Sequence, residues 1–397
     1  MTGQSNALNT GATYQIGGRV ATPKNLIFAG NFDTNPFTFL NYNTQTTVSS
    51  TISVTATPGT PVADMFTLAG STNAATITYS QPIAAPTFAQ AGVATQTCLK
   101  LAVSSAATTP AAGAFVTLST AVHVSTIQAL EYTPLTLSFW IYATVTGTYS
   151  VHCLVTAFED NPYQLCIPYT ITTTNTWQKV SIILPATALA LGANSEQSET
   201  LGLQIDWCFL AGSDYTGSEI SAWTEVTGSY QQFAATGQVN ALTASSIIQL
   251  GLVQLEWGSQ ATPFEVLPFE YVYKMTQQYI ESTATSGRNL QSLIIEPIAT
   301  VCSQIGTTTT IGVINFKSAK VTATTSTPNI IVYDHSGSYV SGHLTFTTTS
   351  GSTSSIAVAV VGYTDCFTVT QASALDYLAT GYFIADYFSN NLTYNVP

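Results

Sequence analysis

The sequence predicts an all-β protein made of two packed antiparallel sheets, followed by a short helix and a second, smaller β unit. Short runs that alternate apolar and polar residues recur between residues 75 and 257, and again between residues 309 and 388. The chain is 45% apolar but only 7% charged, so it has ample apolar surface to bury and is not expected to be disordered. At 397 residues it is long enough for two or three domains.

The best-defined strand of the first unit ends at the run 251–265. Within that run Val253, Leu255 and Trp257 alternate with more polar residues, so the pleat sends them to one face. Gly258 is expected to end the strand, and Phe264 is expected to fold back over the end of the core. This strand is therefore predicted to close a β-sandwich.

The remaining elements follow the same pattern of alternation and turn residues. Residues 1–24 are rich in Gly, Asn and Thr and are expected to form an extended arm. Strands are predicted at 75–79, 97–103, 114–118, 136–144, 149–158, 165–172, 177–184, 201–210 and 247–257. Apolar residues at helical spacing predict a short helix within 265–283. The second unit is predicted to contain strands at 309–316, 329–333, 343–348, 355–361 and 382–388.

Residues 253–265, Val-Gln-Leu-Glu-Trp-Gly-Ser-Gln-Ala-Thr-Pro-Phe-Glu, resemble a recurring run in tail-fibre, spike and other appendage proteins of tailed bacteriophages. In that family the run ends a jelly-roll domain of carbohydrate-binding-module type. Residues 25–33 resemble the first strand of the family. Further matches occur in the family's order at 63–66, 135–140, 147–149, 176–180 and 235–240. Residues 305–390 resemble, more loosely, the small C-terminal sandwich of the same proteins.

The resemblance implies a domain organisation. The N-terminal arm would cover residues 1–24, the antiparallel jelly-roll β-sandwich 25–265, a helical linker 266–304 and the second, smaller β-sandwich 305–397. It also implies a non-enzymatic structural component of a phage virion, mounted on the tail or head, whose β-domains attach to host-surface glycans. The expected partners are two further copies in a homotrimer, and other virion proteins through the arm. The alternatives are a purely architectural capsid or tail protein, or a carbohydrate-active enzyme or its binding module.

Charge and hydropathy argue against several other classes. The net charge of −12 would repel a phosphate backbone, so no nucleic-acid partner is expected. Residues 1–6 lack the basic and apolar segments of a signal peptide, and secretion by the standard route is not expected. The longest apolar stretch, 180–193, contains polar residues and a proline and is shorter than the roughly 18 residues that a membrane span requires. Membrane insertion is therefore not expected, and a location on the virion fits these observations.

Catalytic and metal motifs are absent from the sequence, and no cofactor is expected. No CxxC pair, G-x-S-x-G or H-E-x-x-H motif occurs. Cys153 and Cys166 lie on a predicted hairpin, where they are either bridged or, as cytoplasmic synthesis favours, buried free thiols. His152 is expected to be an ordinary strand residue. Carboxylate pairs for glycoside hydrolysis cannot be placed from sequence spacing alone, and the acidic residues considered are Glu159, Asp160, Asp206, Asp214 and Glu219.

The candidate binding residues are aromatic and polar side chains in loop-like sequence. Tyr215, Trp223 and Tyr230 have flat rings that can stack on sugars, although for Trp223 a place in the core is the favoured alternative, because tryptophan is usually mostly buried. Asp334 and His335 lie beside a Ser-Gly turn of the second unit and can hydrogen-bond to sugar hydroxyls. Within the resemblance, Asp33 and Glu256 lie near positions where such sandwiches hold a structural calcium ion, and the presence of a metal is left open.

Overall fold

The computed structural model describes the sandwich and the strands of the second unit. In the first part of the chain it describes residues 14–16, 19–21, 23–33, 50–54, 60–71, 75–106, 110–123, 126–155, 162–187, 201–227 and 231–277. Beyond these it describes residues 280–282, 298–302, 310–315, 331–333, 339–341, 343–347, 353–362, 366–371, 379–386 and 388–390. The chain divides into two compact units, with the boundary between Tyr273 and Lys274.

The first unit is built from short strands that alternate between two sheets. In chain order these strands are β1 Tyr14–Ile16, β2 Arg19–Ala21, β3 Ser50–Val54, β4 Thr60–Ala63, β5 Phe66–Gly70, β6 Ala75–Ser80, β7 Leu99–Ser105, β8 Phe115–His123, β9 Leu135–Ala143, β10 Gly147–Val155, β11 Tyr163–Ile171, β12 Gln178–Leu184, β13 Leu201–Ala211, β14 Thr216–Gly217, β15 Ile220–Glu225, β16 Ala234–Ala235 and β17 Ile247–Trp257. A one-turn helix, α1 Phe88–Ala91, lies between β6 and β7. Strands β1 and β2 form a hairpin within the segment that was expected to be an extended arm.

Two large antiparallel sheets make up the sandwich of this unit, and the short pairs β1–β2 (antiparallel) and β14–β16 (parallel) are separate from them. One has seven strands in the order β15-β11-β10-β13-β8-β5-β4, and the other has six in the order β12-β9-β17-β7-β6-β3. Neighbouring strands in each sheet are often distant in sequence; β9, for example, pairs with β17, and β10 with β13. The prediction of an all-β, antiparallel sandwich is confirmed.

The core lies between these sheets and is rich in aromatic residues. Phe139 on β9 of the six-stranded sheet meets Trp207 on β13 of the seven-stranded sheet, with ring centroids 5.6 Å apart and planes at 89°. It also meets Tyr169 on β11 at 5.4 Å. Edge-to-face contacts of this kind add to the free energy gained by burying the rings. The side chain that follows Phe139 must therefore point away from the core, because side chains alternate along a strand.

Strand β17 is buried along almost its whole length and is bulged in the middle. Its register to β9 shifts between Gly251 and Gln254, and Leu252 has a φ of +52°. The prediction that Val253 and Leu255 point into the core is correct, since both side chains are fully buried. Phe264, expected to plug the core, is only half-buried, and the fully buried side chain of this segment is Leu267.

Residues 25–33, which the resemblance implied to be a first strand, form turns docked on β17 instead. The amide of Leu26 donates to the carbonyl of Leu255 at 2.8 Å, and the amide of Val253 donates to the carbonyl of Gly30 at 2.8 Å. A Cβ on Gly30 would lie 1.9 Å from the Val253 oxygen, so this close approach requires glycine. The bulge of β17 leaves backbone groups unpaired in the sheet, and the turn supplies their partners.

The second unit is also antiparallel. Its strands are β18 Ile280–Ser282, β19 Ile298–Cys302, β20 Thr310–Asn315, β21 Ile331–Tyr333, β22 Tyr339–Ser341, β23 His343–Thr347, β24 Thr353–Gly362, β25 Cys366–Gln371, β26 Ala379–Asp386 and β27 Phe388–Asn390. They form four-stranded sheets in the orders β19-β26-β21-β22 and β20-β25-β24-β23, with β18 and β27 as a separate pair.

The helix α2, Phe269–Gln277, lies within the segment predicted to be helical. No helix in the described ranges is long and apolar enough to span a membrane. The predicted boundaries at residues 265 and 305 stay predictions.

Candidate functional site

Tyr215, predicted to be an exposed sugar-binding ring, is a core residue. It ends a short 3-10 turn, Ser213–Tyr215, and is only 5% exposed. Its ring lies 4.8 Å from the ring of Phe115 and 5.3 Å from that of Phe233. The turn directs the ring onto the outer face of the seven-stranded sheet, where an apolar cluster covers it. Tyr215 therefore cannot stack on a ligand in this conformation.

Trp223 lies on a strand rather than in the predicted loop. It is in the middle of β15, the edge strand of the seven-stranded sheet, and is half-buried. Its indole Nε1 donates to the carbonyl of Pro185 at 2.7 Å. The ring is therefore held by a neighbouring segment, and one face of it can still meet solvent. Tyr230, Asp334 and His335 lie outside the described residues.

A buried polar pair occupies the outer face of the seven-stranded sheet. Nδ1 of His152 lies 2.8 Å from Oδ2 of Asp206, and neither side chain is exposed. Gln204 Nε2 donates to both carboxylate oxygens of Asp206, at 2.9 and 3.0 Å. Cys166 is the cross-strand neighbour of His152, but burial raises the pKa of its thiol to about 12. A thiol with so high a pKa is a poor nucleophile, and His152 and Asp206 are themselves 0% exposed, so none of the three side chains meets a ligand from solution in this conformation.

The strand register also decides the state of the hairpin cysteines. Cys166 is opposite His152, whereas Cys153 is opposite Leu165, so the two thiols point to opposite faces of the sheet. A disulfide between them is geometrically excluded. Both are free and buried, which is the second of the two alternatives considered from the sequence.

The two carboxylates considered for calcium are occupied by protein donors. Asp33 accepts hydrogen bonds from the amides of Gln96 and Thr97 and from the Thr97 hydroxyl. Glu256 accepts bonds from the side chain of Gln254 and from the amide and hydroxyl of Thr262. In the part of the chain that the structure describes, no three His, Cys, Asp or Glu residues are grouped as metal ligands. Both carboxylates thus have hydrogen-bond donors of the protein as their partners.

Instead, the signature residues of the closing run form a polar network that was not foreseen. Gln254 connects the strand to the residues that follow it. Its Nε2 donates to Glu256, and its Oε1 accepts from the amide of Glu265 at 2.7 Å. The Glu265 carboxylate in turn accepts from the amides of Lys24 and Asn25, at 2.8 and 2.9 Å. The side chains of the Gln-x-Glu and Thr-Pro-Phe-Glu motifs thus connect the closing run to residues 24 and 25 at the start of the sandwich. Their function is structural.

A second group of residues missed by sequence reasoning lies on the outer face of the six-stranded sheet. It consists of Trp140, Tyr142 and Trp177, and is called the aromatic face below. Trp140 and Tyr142 flank the inward-pointing Ile141 on β9, and all three rings of the face are partly exposed. The rings of Tyr142 and Trp177 are 5.9 Å apart at 58°. Trp140 and Tyr142 could have been recognised from the sequence, because successive side chains of a strand point to opposite faces and Phe139 and Ile141 are typical core residues.

Hydrogen bonds hold two rings of the aromatic face, those of Tyr142 and Trp177. Trp177 Nε1 donates to the carbonyl of Ala84 at 3.1 Å, and the hydroxyl of Tyr142 donates to Oδ1 of Asn175 at 3.1 Å. Asn175 has a φ of +56°, a conformation that asparagine adopts more readily than most residues. The Trp177 ring lies over Gly251, since a Cβ there would be 3.7 Å from its Cη2. The rings are therefore pre-positioned on a rigid sheet.

Comparison with known proteins identifies no family for this chain. No family model matches the sequence, and no curated protein matches it. Among solved structures, the enzymatically active domain of tailspike protein 4 from bacteriophage CBA120 is similar, with 13% identity over 50% of this chain and 20% of that chain at a TM-score of 0.28. The match therefore spans less than two thirds of the tailspike chain.

Two carbohydrate-binding modules are similar at the same level. One is TmCBM61 in complex with β-1,4-galactotriose, with 10% identity, 59% of this chain and 98% of that chain covered, and a TM-score of 0.25. The other is the family 11 module from Clostridium thermocellum in complex with a mixed-linked tetrasaccharide, with 7% identity, coverage of 54% and 98%, and a TM-score of 0.26. Likenesses at these TM-scores carry no argument, and the fold is defined by the strand register and packing of this chain.

Proposed function

We propose that the protein is a non-catalytic structural component of a phage particle that attaches to glycans through the aromatic face. The observation that carries this proposal is the set of partly exposed rings of Trp140, Tyr142 and Trp177 on one face of a sheet, two of which, Tyr142 and Trp177, are held by hydrogen bonds. Flat aromatic rings pack well against the apolar faces of sugars, and polar groups at their rim bind the hydroxyls.

Pre-positioning of the rings favours binding. A sugar that stacks on Tyr142 and Trp177 does not have to order them, because their polar atoms already bond to Asn175 and Ala84. The free energy of ordering side chains is otherwise subtracted from the affinity. Asn175 is exposed and keeps its amide nitrogen beside the rings, where it can donate to a sugar hydroxyl.

The absence of catalysis is proposed because the strongest candidates for chemistry have other roles. Asp206 is sealed in the sheet together with its partner His152. Of the other acidic candidates, Asp214 and Glu219 are exposed on the surface, while Glu159 and Asp160 lie outside the described residues. Mounting on a virion, a trimeric assembly and attachment through the N-terminal arm rest on the resemblance of residues 253–265 to phage appendage proteins.

A panel of immobilised polysaccharides tests the proposal with the full-length chain. We expect the wild-type protein to be retained by at least one of them, and Trp140→Ala and Tyr142→Ala to lose most of that retention. Tyr132→Ala is the matched control, since this ring is 77% exposed in the turn that precedes β9, and the first residue of β9, Leu135, is already about 24 Å along the strand from Tyr142. If Trp223→Ala abolishes retention and Tyr142→Ala leaves it unchanged, the site is on β15. Retention by no polysaccharide would favour the purely architectural alternative.

A further inference from the structure

We infer that the aromatic face selects acidic oligosaccharides, because lysines stand at two opposite corners of it. The inference rests on the proposed function and names the ligand class of the same site. Two observations support this inference. The strand register fixes where Lys100 and Lys179 lie relative to the rings, and the chain has few basic residues.

The register places both lysines on the same face as the rings. Lys100 on β7 is opposite Gln249 on β17, which is in turn opposite Tyr142 on β9. Directly opposed residues share a face of a sheet, so Lys100 and Tyr142 lie in one row across it. In the next row Lys179 on β12 is opposite Trp140. Lys179 is exposed and Lys100 is partly exposed, so both ammonium groups can reach a ligand on the rings.

The scarcity of basic residues makes this placement informative. The chain has 8 Lys and Arg against 20 Asp and Glu, and a net charge of −12. Among the described side chains of the sandwich, from residue 23 to residue 273, the basic residues are Lys24, Lys100 and Lys179. Lys24 is committed elsewhere, since its ammonium donates to the hydroxyl of Thr262 and the carbonyl of Pro263. Both remaining lysines therefore belong to the aromatic face.

Local charge can dominate over net charge at such a surface. The Debye length is about 8 Å at physiological ionic strength, so distant carboxylates of the chain are largely screened from a ligand on the rings. Asp33 is a carboxylate of the same region as Lys100, since both groups act electrostatically on the thiol of Cys98. Asp33 already accepts bonds from the Gln96 and Thr97 amides. A carboxylate or sulfate on a sugar would thus meet the ammonium groups as its main charged partners.

The separation of the lysines sets the size of the ligand. Three inter-strand steps separate β7 from β12, which is about 14 Å across the sheet, and the two-residue offset adds about 7 Å along it. One monosaccharide cannot reach both ammonium groups. A ligand with acidic groups on two different sugar units can contact both lysines while its intervening rings stack on Tyr142 and Trp140. The ligand is therefore an acidic oligosaccharide rather than an acidic monosaccharide.

Binding of matched acidic and neutral polysaccharides tests the inference with the full-length protein. The probes are polygalacturonate, its methyl ester, chondroitin sulfate and unsulfated chondroitin, each at 20 mM and at 500 mM NaCl. We expect tighter binding to an acidic member than to its neutral or less charged partner, and a loss of that preference at high salt. Polygalacturonate tests recognition of carboxylates, and the chondroitin pair tests recognition of sulfate.

Lysine variants complete the test. Lys100→Met and Lys179→Met keep the aliphatic stems, and each is expected to weaken binding to the acidic probe by about 5- to 10-fold, the size of a partly exposed charge-assisted contact. Lys274→Met, an exposed lysine on α2, is the control and should change nothing. Equal binding to both members of each pair, unaffected by the lysine variants but weakened by Tyr142→Ala, overturns the inference and leaves the proposed function intact. Binding to none of the probes or of the wider panel overturns both.

Discussion

The backbone amide of Leu255 donates to the side-chain Oδ1 of Asn25 at 3.1 Å, across 230 positions of sequence. Oδ1 of Asn25 also accepts from the amide of Ile27 at 3.0 Å, and its Nδ2 donates to the carbonyl of Val253 at 3.3 Å. The Asn25 side chain is 1% exposed, so it satisfies backbone groups of the bulged strand that water cannot reach. The turn that begins at Asn25 and the last strand of the sandwich are thereby joined.

The first prediction concerns this asparagine. Asn25→Ala would leave the amides of Leu255 and Ile27 buried without the partner they have now. Each orphaned group costs about 1–3 kcal/mol, so we expect a loss of about 2–5 kcal/mol in the free energy of unfolding. Urea denaturation measures it. Gln260→Ala, an exposed side chain in the loop after β17, is the control. An unchanged midpoint for Asn25→Ala would show that the network does not hold the sandwich closed.

The second prediction concerns the phase of β17. Leu255 is fully buried, so Leu255→Ala should destabilise the protein by about 2–5 kcal/mol through lost burial and the cavity left behind. Phe264 is half-buried, so Phe264→Ala should cost clearly less than Leu255→Ala. Chemical denaturation of both variants gives the order. The reverse order would mean that Phe264 is the core plug that its sequence position indicated.

The third prediction concerns thiol reactivity and pH. Burial raises the pKa of the Cys98 and Cys166 thiols from 9.0 to about 12. At pH 8 only about one thiol in 10⁴ is then ionised, and we expect Ellman's reagent to react with the cysteines of the sandwich only after unfolding. Fast reaction of the native protein at these cysteines would contradict this burial.

The raised pKa values of the Cys98 and Cys166 thiols also predict that the protein loses stability in alkali. The unfolded chain releases these thiol protons near pH 9, whereas the folded chain keeps them up to about pH 12. The folded state therefore binds more protons in this window, and each thiol lowers the free energy of unfolding by about 1.4 kcal/mol per pH unit. Urea midpoints from pH 8 to pH 11 measure the slope. Cys166→Ala should reduce it, and an identical slope would contradict the assignment to this thiol.

The fourth prediction is a homotrimer, which follows from the resemblance to phage appendage proteins and from the low charge content of 7%. Light scattering should give about three times the chain mass of 42.0 kDa. A stable monomer at micromolar concentration would contradict it.

Much of the sandwich could be predicted because alternation of side chains reports strand phase directly. The stretch from Leu135 to Ala143 has this pattern, and it also contained the aromatic face, since Trp140 and Tyr142 had to point away from Phe139. Tyr215 was misplaced because a short turn rich in polar residues carries no periodicity to show which way its ring points. Residues 25–33 were misplaced because the bulge in β17, which they complete, depends on contacts across more than 200 positions.

The most direct test of the central claim is a titration of the full-length protein and its Tyr142 variants with the polysaccharide that wild type binds best. Tyr142→Phe keeps the ring and loses only the hydroxyl that donates to Asn175, so it should bind within a few-fold of wild type. Tyr142→Ala removes the stacking surface, which is worth about 0.5–1.5 kcal/mol beyond the area it buries, and should weaken binding by about tenfold. Calorimetry gives both dissociation constants, with thermal denaturation as the check of folding. If a folded Tyr142→Ala variant binds as tightly as wild type, the aromatic face is not the glycan site.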